Sequence, residues 1–185
     1  MVDSFAQARA ILDAAYYPPR GRRSVGPGAH FLNYGASDAE YKARANESIV
    51  VILMAESPEG VASAPAWCAL DGVDAVFVGP ADLRAQMSRA LPDGRGPTEE
   101  EFEVALGAVR AAGAAAGVAT GIHAFTAADA RARLAQGFRF VTVGSDAALL
   151  SGAARDMVET VGGLAGAGGG EWGGAPRVLG GAGAY

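Results

Sequence analysis

The sequence predicts an α/β fold with a parallel sheet, and two observations favour it. Four short apolar runs, SIVVILMA, DAVFVG, GVATGIHAF and RFVTVGSD, alternate along the chain with segments whose apolar residues recur at helical spacing. Strands that alternate with helices through short loops form right-handed crossovers in a parallel sheet. Two of the runs also share a weak repeat, a glycine followed after three residues by V-x-V-G, from Gly72 to Gly79 and from Gly137 to Gly144, which suggests equivalent strand–helix units.

The first elements are set by caps and prolines. Ser4 precedes apolar positions at helical spacing, so a helix is expected over 4–17, and Pro18 ends it. A glycine-rich loop follows, and DAEYKARANE predicts a short polar helix over 38–47. Ser48 to Ala55 is a continuous apolar, β-branched run, which is typical of a fully buried strand.

The alternation continues through the second half. A helix is expected from about Pro58 to Leu70, and a second buried strand over 74–79. Thr98 and Glu101 stand at capping-box spacing before a long amphipathic pattern. The remaining expected elements are a helix over 97–117, a strand over 117–125, a helix over 126–137 capped by Thr126, a strand over 139–146 and a helix over 146–164. Residues 1–160 are therefore expected to form one domain, and 161–185 a glycine-rich flexible tail.

Composition limits the possible partners. A net charge of −5 argues against nucleic-acid binding, which needs clustered Lys and Arg. The single cysteine, Cys68, fits a reducing compartment, and its apolar neighbours predict an inert, buried thiol. The first residues do not read as a signal peptide, and the apolar runs are too short to cross a membrane. We expect a cytoplasmic protein that acts on small molecules, without nucleic-acid or membrane partners.

Every predicted strand ends at a polar side chain. The first strand ends at Glu56, the second at Gly-Pro-Ala-Asp82, the third at His123 and the fourth at Ser-Asp146. The carboxyl ends of parallel strands collect the catalytic groups of α/β folds. These residues are therefore the candidate site. His123 could be a general base, a ligand or a structurally satisfied histidine, and Asp146 could be a helix N-cap.

Glu56 and Asp82 follow neighbouring strands, so two carboxylates are expected to approach one another. Like charges at short range are costly unless something neutralises them. Mg²⁺ or Mn²⁺ would do so, because these ions take oxygen ligands and keep positions for substrate oxygens. The alternative is structural: Glu56 caps the following helix and Asp82 pairs with Arg84 or another arginine.

Several motifs together resemble one known family. They are YYPPRGRRSVGPG, VDAVFVGPADL, the glutamate of ILMAES, GIH and FRFVTVGSDAALL, and they extend over about residues 2–160. In these motifs the chain is similar to the HpcH/HpaI aldolase/citrate lyase family, of the 4-hydroxy-2-oxoheptanedioate aldolase type. The resemblance implies a (β/α)₈ TIM barrel, of which this chain holds about the last four strand–helix units.

The resemblance also implies a reaction. It is the cleavage or formation of 4-hydroxy-2-oxo acids through a pyruvate enolate, with an aldehyde as the second partner and Mg²⁺, Mn²⁺ or Co²⁺ as cofactor. Glu56 and Asp82 would be the metal ligands. Gly79, Pro80, Ala81 and Asp82 would form the substrate-binding turn, where the N–H groups of Ala81 and Asp82 hold the substrate carboxylate. His123 would be the catalytic, substrate-facing side chain.

The sequence departs from the family pattern in three ways. Met54 stands where the family has a glutamine two residues before the metal-binding glutamate, and Arg84 stands where a serine often follows the Gly-Pro-Ala-Asp-Leu motif. Only four of eight strands are recognised, including none that supplies the family's catalytic histidine and arginine. We therefore expect a homo-oligomer that covers the open sheet, or a truncated product. The alternative function is a non-catalytic oligomerising or regulatory relative with a vestigial metal site.

Overall fold

The computed structural model of the chain describes residues 1–26, 33, 35–91 and 94–167, with side chains described as far as residue 162. The chain divides into two compact units, Met1–Thr142 and Val143–Tyr185. No helix in these ranges is long and apolar enough to span a membrane.

Four strands and seven helices make up the described part of the chain. The first unit contains α1 (Phe5–Ala15), α2 (Asp38–Ser48), β1 (Ile52–Ala55), α3 (Pro58–Cys68), β2 (Ala75–Val78), α4 (Pro80–Ala90), α5 (Glu99–Ala116), β3 (Ala119–Ala124), α6 (Ala127–Ala135) and nearly all of β4 (Phe140–Val143). The strands form one parallel sheet in the order β1-β2-β3-β4, with Ile52 beside Ala75 and Ala75 beside Ala119. The predicted α/β class and parallel sheet are confirmed.

One face of the sheet forms the core. The side chains on this face come from alternate positions of each strand, such as Leu53, Val76 and Ile122, each at most 2% exposed. Helices α3 and α5 cover them with Trp67 and Leu106, which are fully buried. The sheet is therefore anchored from one side, with its helices packed there.

The opposite face is open. Ile52 and Phe140 are each 40% exposed, and Met54 and Phe77 are only partly buried. The prediction that β1 is fully buried is wrong, because its burial alternates along the strand. A continuous apolar run cannot reveal whether both faces of a strand are covered.

The predicted helix caps are confirmed where the structure describes them. Ser4 and Thr126 accept backbone N–H groups of their helices, and Thr98 and Glu101 form a reciprocal capping box at the start of α5. Cys68 is buried in the core, and burial raises the pKa of its thiol to about 11. The thiol is therefore structural, as the sequence indicates.

Helix α4 was not predicted from the sequence. Its N-cap is Gly79, which has no side chain to bond the first turn, so the usual Ser, Thr, Asp or Asn signal is missing. Two weaker signals were present: Pro80 at the first helical position and Asp82 in the first turn.

The second unit contains the last helix, α7 (Asp146–Ala167). The Ser145 hydroxyl accepts the N–H of Ala148, so Ser145 caps this helix and the N-cap expectation for Asp146 is wrong. Leu149, Leu150 and Met157 are each about 70% exposed on it. Because α7 continues to Ala167, the first residues of the predicted tail are helical. The rest of that tail, from residue 168, lies outside the described residues.

Candidate active site at the strand ends

Glu56 lies directly after β1, on the open face of the sheet. It continues the alternation of Ile52 and Met54, so its side chain belongs to the same face as theirs. The side chain is nevertheless buried, with the residue 8% exposed. Its Oε2 lies 3.5 Å from the chain's terminal ammonium group. A buried carboxylate at the carboxyl end of a strand requires a compensating positive charge or hydrogen-bond donors.

Gly79 makes room for this carboxylate. Residue 55 is paired with residue 78, so Glu56 and Gly79 follow their strands side by side. A Cβ built on Gly79 would lie 3.0 Å from Glu56 Cδ and 3.2 Å from Cγ, and closer still to Oε1. Any larger residue at position 79 would therefore push the Glu56 carboxylate out of place.

The first turn of α4 presents free donors next to this carboxylate. Leu83 N–H bonds the carbonyl of Gly79, but the N–H groups of Ala81 and Asp82 precede the first intrahelical bond. No side chain caps this turn, whereas α1, α2, α3, α5 and α6 each have a Ser or Thr cap. An uncapped helix N-terminus attracts anions through its N–H groups and its dipole.

Asp82 is exposed in the same turn. It forms no ion pair or side-chain hydrogen bond within the described ranges of the chain. The structural alternative for both acids is not observed. Ser57, not Glu56, caps α3, and Arg84 pairs with Glu99 at 2.7 Å rather than with Asp82. Asp82 is therefore accessible to a ligand, whereas Glu56 pairs with the terminal ammonium group.

His123 belongs to the same face of the sheet, near the carboxyl end of β3. Its Nδ1 lies 2.9 Å from Thr142 Oγ1, and its ring makes an edge contact with Phe125 at 4.9 Å between centroids. The ring is half-buried and held in orientation by these two contacts. Thr142 was not predicted as a site residue. Its position in the sequence was the available signal, since it lies two residues after Phe140 and so belongs to the same open face.

The oxygen donors of the candidate site are of the type that a small hard cation would take. Two carboxylates lie at neighbouring strand ends, and no group of three or more His, Cys, Asp or Glu in the described ranges is arranged to hold a metal. Mg²⁺ is commonly held by one or two carboxylates, with waters and substrate oxygens completing its shell. The residues present fit such an ion, with Glu56 buried and Asp82 accessible.

A parallel sheet with helices on one side and polar groups at its carboxyl ends is typical of part of an α/β barrel. The sequence model of the HpcH/HpaI aldolase/citrate lyase family matches residues 1–153. The chain therefore belongs to this family, and the resemblance noted in the sequence is confirmed.

Curated relatives carry aldolase names. A hydroxypyruvate/pyruvate aldolase of Rhizorhabdus wittichii is 41% identical over 160 residues, covering 85% of this chain and 61% of the relative. A 2-keto-3-deoxy-L-rhamnonate aldolase of Salmonella schwarzengrund is 40% identical over 152 residues, covering 80% of this chain and 54% of the relative. The chain thus spans little more than half the length of these relatives.

Solved structures confirm the fold. An HpcH/HpaI aldolase/citrate lyase family protein from Burkholderia cenocepacia superposes with a TM-score of 0.76 at 34% identity, covering 87% of this chain and 62% of that one. An HpcH/HpaI aldolase from Desulfitobacterium hafniense gives 0.72 at 26% identity, covering 86% and 61%. These neighbours are TIM-barrel aldolases, so the four strands here form part of a (β/α)₈ barrel.

Proposed function

We propose that this chain carries the metal-binding half of a class II aldolase, a carbon–carbon lyase that cleaves or forms 4-hydroxy-2-oxo acids by way of a pyruvate enolate. One observation carries the proposal. A buried Glu56 carboxylate rests against Gly79, beside a helix N-terminus whose first amides are uncapped and whose first turn carries Asp82. The aldolase names of the relatives support the reaction class.

Each group has a role in this proposal. Glu56 and Asp82 hold a divalent cation, Mg²⁺, Mn²⁺ or Co²⁺, which when bound would supply Lewis-acid polarisation of a keto oxygen. The N–H groups of Ala81 and Asp82 bind the carboxylate of the 2-oxo acid, assisted by the dipole of α4. Gly79 and Pro80 shape the turn, because Pro80 fixes the first helical φ and Gly79 leaves space for Glu56.

His123 faces the same side of the sheet and is proposed as the catalytic, substrate-facing side chain. Because Nδ1 is engaged by Thr142, proton exchange with a substrate would fall to Nε2. The predicted aldehyde partner, the homo-oligomer and the cytoplasmic location remain predictions.

The test combines metal binding and turnover. Titration calorimetry with Mn²⁺ should show one site. Glu56→Gln and Asp82→Asn should each weaken the Mn²⁺ affinity by about tenfold or more, because each replaces a charged ligand with a neutral amide. Asp71→Asn is the control, because the side chain of Asp71 is 93% exposed and pairs with Arg20, away from Glu56 and Asp82 in the sequence. Incubation with Mn²⁺ and oxaloacetate or a 4-hydroxy-2-oxo acid should then release pyruvate. Unchanged Mn²⁺ affinity in both variants would refute the site, and metal binding without turnover would favour the non-catalytic alternative.

A further inference from the structure

His123 and Thr142 form a polar pair on the open face of the sheet. They belong to the neighbouring strands β3 and β4, and His123 Nδ1 lies 2.9 Å from Thr142 Oγ1. Their surroundings on this face are apolar, because Phe77 and Phe140 pack together with ring centroids 5.3 Å apart. In the described ranges of the chain, the Thr142 hydroxyl is the one protein group that forms a hydrogen bond with the imidazole.

The direction of this hydrogen bond decides what the imidazole can offer to a ligand. A neutral imidazole has one N–H and one acceptor nitrogen, and a hydroxyl has one proton to donate. If Nδ1 were the donor, the proton of the Thr142 hydroxyl would need a second acceptor, and none is found among the described residues. If the hydroxyl donates, a single bond satisfies both its proton and the lone pair of Nδ1. The network therefore favours a hydroxyl that donates to Nδ1.

We propose that Thr142 is a positioning residue, which holds neutral His123 in the tautomer that carries its proton on Nε2. The bond at one ring nitrogen sets the protonation of the other. No protein group in the described part of the chain bonds Nε2, so its N–H is free to donate to a substrate oxygen. For its use in catalysis, this inference rests on the proposed function.

The same contacts fix the orientation of the ring. Threonine is branched at Cβ and therefore restricted at χ1, so its hydroxyl is held in place by the strand. On the other side, Phe125 meets the imidazole edge-on, at an interplanar angle of 89°. Thr142 thus supplies the polar contact, and serine at this position would keep the hydroxyl without the branch.

The test of the hydrogen bond is nuclear magnetic resonance of the full chain labelled with ¹⁵N-histidine, at mildly alkaline pH, where imidazole is neutral. The chain has two histidines, so comparison with His123→Gln identifies the signals of His123. We expect an unprotonated Nδ1 and a protonated Nε2. Thr142→Val should move both shifts towards those of a mixture of tautomers, whereas Thr142→Ser should restore the native pattern. A protonated Nδ1 in the native chain, or a pattern unchanged in Thr142→Val, would overturn the proposal.

The matched control is Thr120→Val, the same substitution on β3. Thr120 is 5% exposed on the covered face of the sheet, so its variant should leave the signals of His123 unchanged. Circular dichroism and thermal unfolding show whether each variant folds.

A double-mutant cycle tests the use of this bond in catalysis. A positioned acid–base group contributes about 10²- to 10⁴-fold to a rate, so loss of its orientation by Thr142→Val should lower kcat for pyruvate release about tenfold. In a His123→Gln chain the same substitution should have no further effect. Equal losses in both chains would show a merely structural role for Thr142 and overturn the proposal. A native chain with the expected tautomer and no pyruvate release would refute the proposed reaction, while the positioning role of Thr142 would stand.

Discussion

At the scale of single residues, the candidate site depends on Gly79 having no side chain. Glu56 occupies the space where a Cβ of residue 79 would lie, and it follows the strand that pairs with the one preceding Gly79. The carboxylate is the far end of a flexible side chain, so it can move without unfolding the chain. Gly79 therefore controls where Glu56 points more than it controls stability.

Gly79→Ala should weaken Mn²⁺ binding by about tenfold, the size of effect seen when a group that orients a ligand is changed. The added methyl group would displace the Glu56 carboxylate, while the backbone conformation at residue 79 is one that alanine adopts readily. Titration calorimetry measures the affinity, and thermal unfolding checks the fold. Gly96→Ala is the matched control, since its nearest atom is Ser88 Oγ at 3.9 Å. Equal Mn²⁺ affinities in the two variants would contradict this account of Gly79.

Cys68 should not react with a chromogenic disulfide reagent in the native state. Its thiol is 2% exposed, and its pKa is raised to about 11 by burial, so near neutral pH only about one thiol in ten thousand is ionised. One equivalent should react after unfolding in guanidinium chloride. Rapid labelling of the folded chain would show that the helix carrying Cys68 opens readily.

The sequence correctly places Glu56 directly after β1 and His123 near the carboxyl end of β3, because apolar runs that stop at polar residues mark where strands finish. Asp82 follows β2 as predicted, but it lies in the first turn of α4. It could not show that Gly79 accommodates Glu56, which depends on the register between two strands. It also could not show Thr142 beside His123, a contact between residues from different strands. Contacts of this kind follow from the folded sheet and have no local signature.

At the scale of elements, local chemistry predicts the helices that have caps and misses the one that lacks them. The spacing of Thr98 and Glu101 predicts the start of α5 from the sequence, and both hydrogen bonds of the capping box form in the structure. Helix α4 begins at a glycine, so its start has no comparable signal. The same absence of a cap leaves its first N–H groups free for a ligand, so the element hardest to predict is the one proposed to bind substrate.

The capping box of α5 should give the chain an acid-dependent stability. Hydrogen bonds from Arg95 and from the backbone of Thr98 lower the pKa of Glu101 to about 2, against 4.5 for the unperturbed carboxyl. A carboxyl group whose pKa is lower in the folded chain than in the unfolded chain stabilises the fold at pH values above its unfolded-state pKa. This stabilisation is lost as the pH falls through the folded-state pKa. The stability difference between the native chain and Glu101→Gln should therefore be largest at neutral pH and shrink between about pH 4.5 and 2.

Urea unfolding at a series of pH values measures this difference. Glu100→Gln is the control, because Glu100 lies in the same turn with no partner in the described part of the chain. Thr98→Ala should cost about 1 kcal/mol at neutral pH through loss of the cap. A Glu101→Gln difference that did not change with pH would contradict the assigned ion pair.

At the scale of the whole molecule, one face of the sheet is covered by helices, and the other face is partly exposed in the part of the chain that the structure describes. The apolar runs predicted four strands in the correct order, but the continuous apolar run that contains β1 suggested burial on both faces. The structure shows that the second face is partly exposed, with Phe77 and Phe140 packed above Gly121. The sequence pattern of a strand covered on both faces cannot be distinguished from that of an apolar strand covered on one face.

Gly121 should therefore not accept a side chain without displacing its neighbours in the sheet. A Cβ there would lie 2.6 Å from the carbonyl oxygen of Phe140 as well as against both rings, and the backbone contact cannot be relieved by rotating a side chain. We expect Gly121→Ala to lower the free energy of unfolding by about 1 to 3 kcal/mol, the range for overpacking. Gly107→Ala is the control, because it lies in α5 with its nearest atom, Arg110 Nη2, at 3.9 Å, and it should stabilise the chain by about 0.5 to 1 kcal/mol. Urea unfolding of both variants measures the two effects. A Gly121→Ala chain as stable as the native one would mean that β3 and β4 can move apart to admit the methyl group.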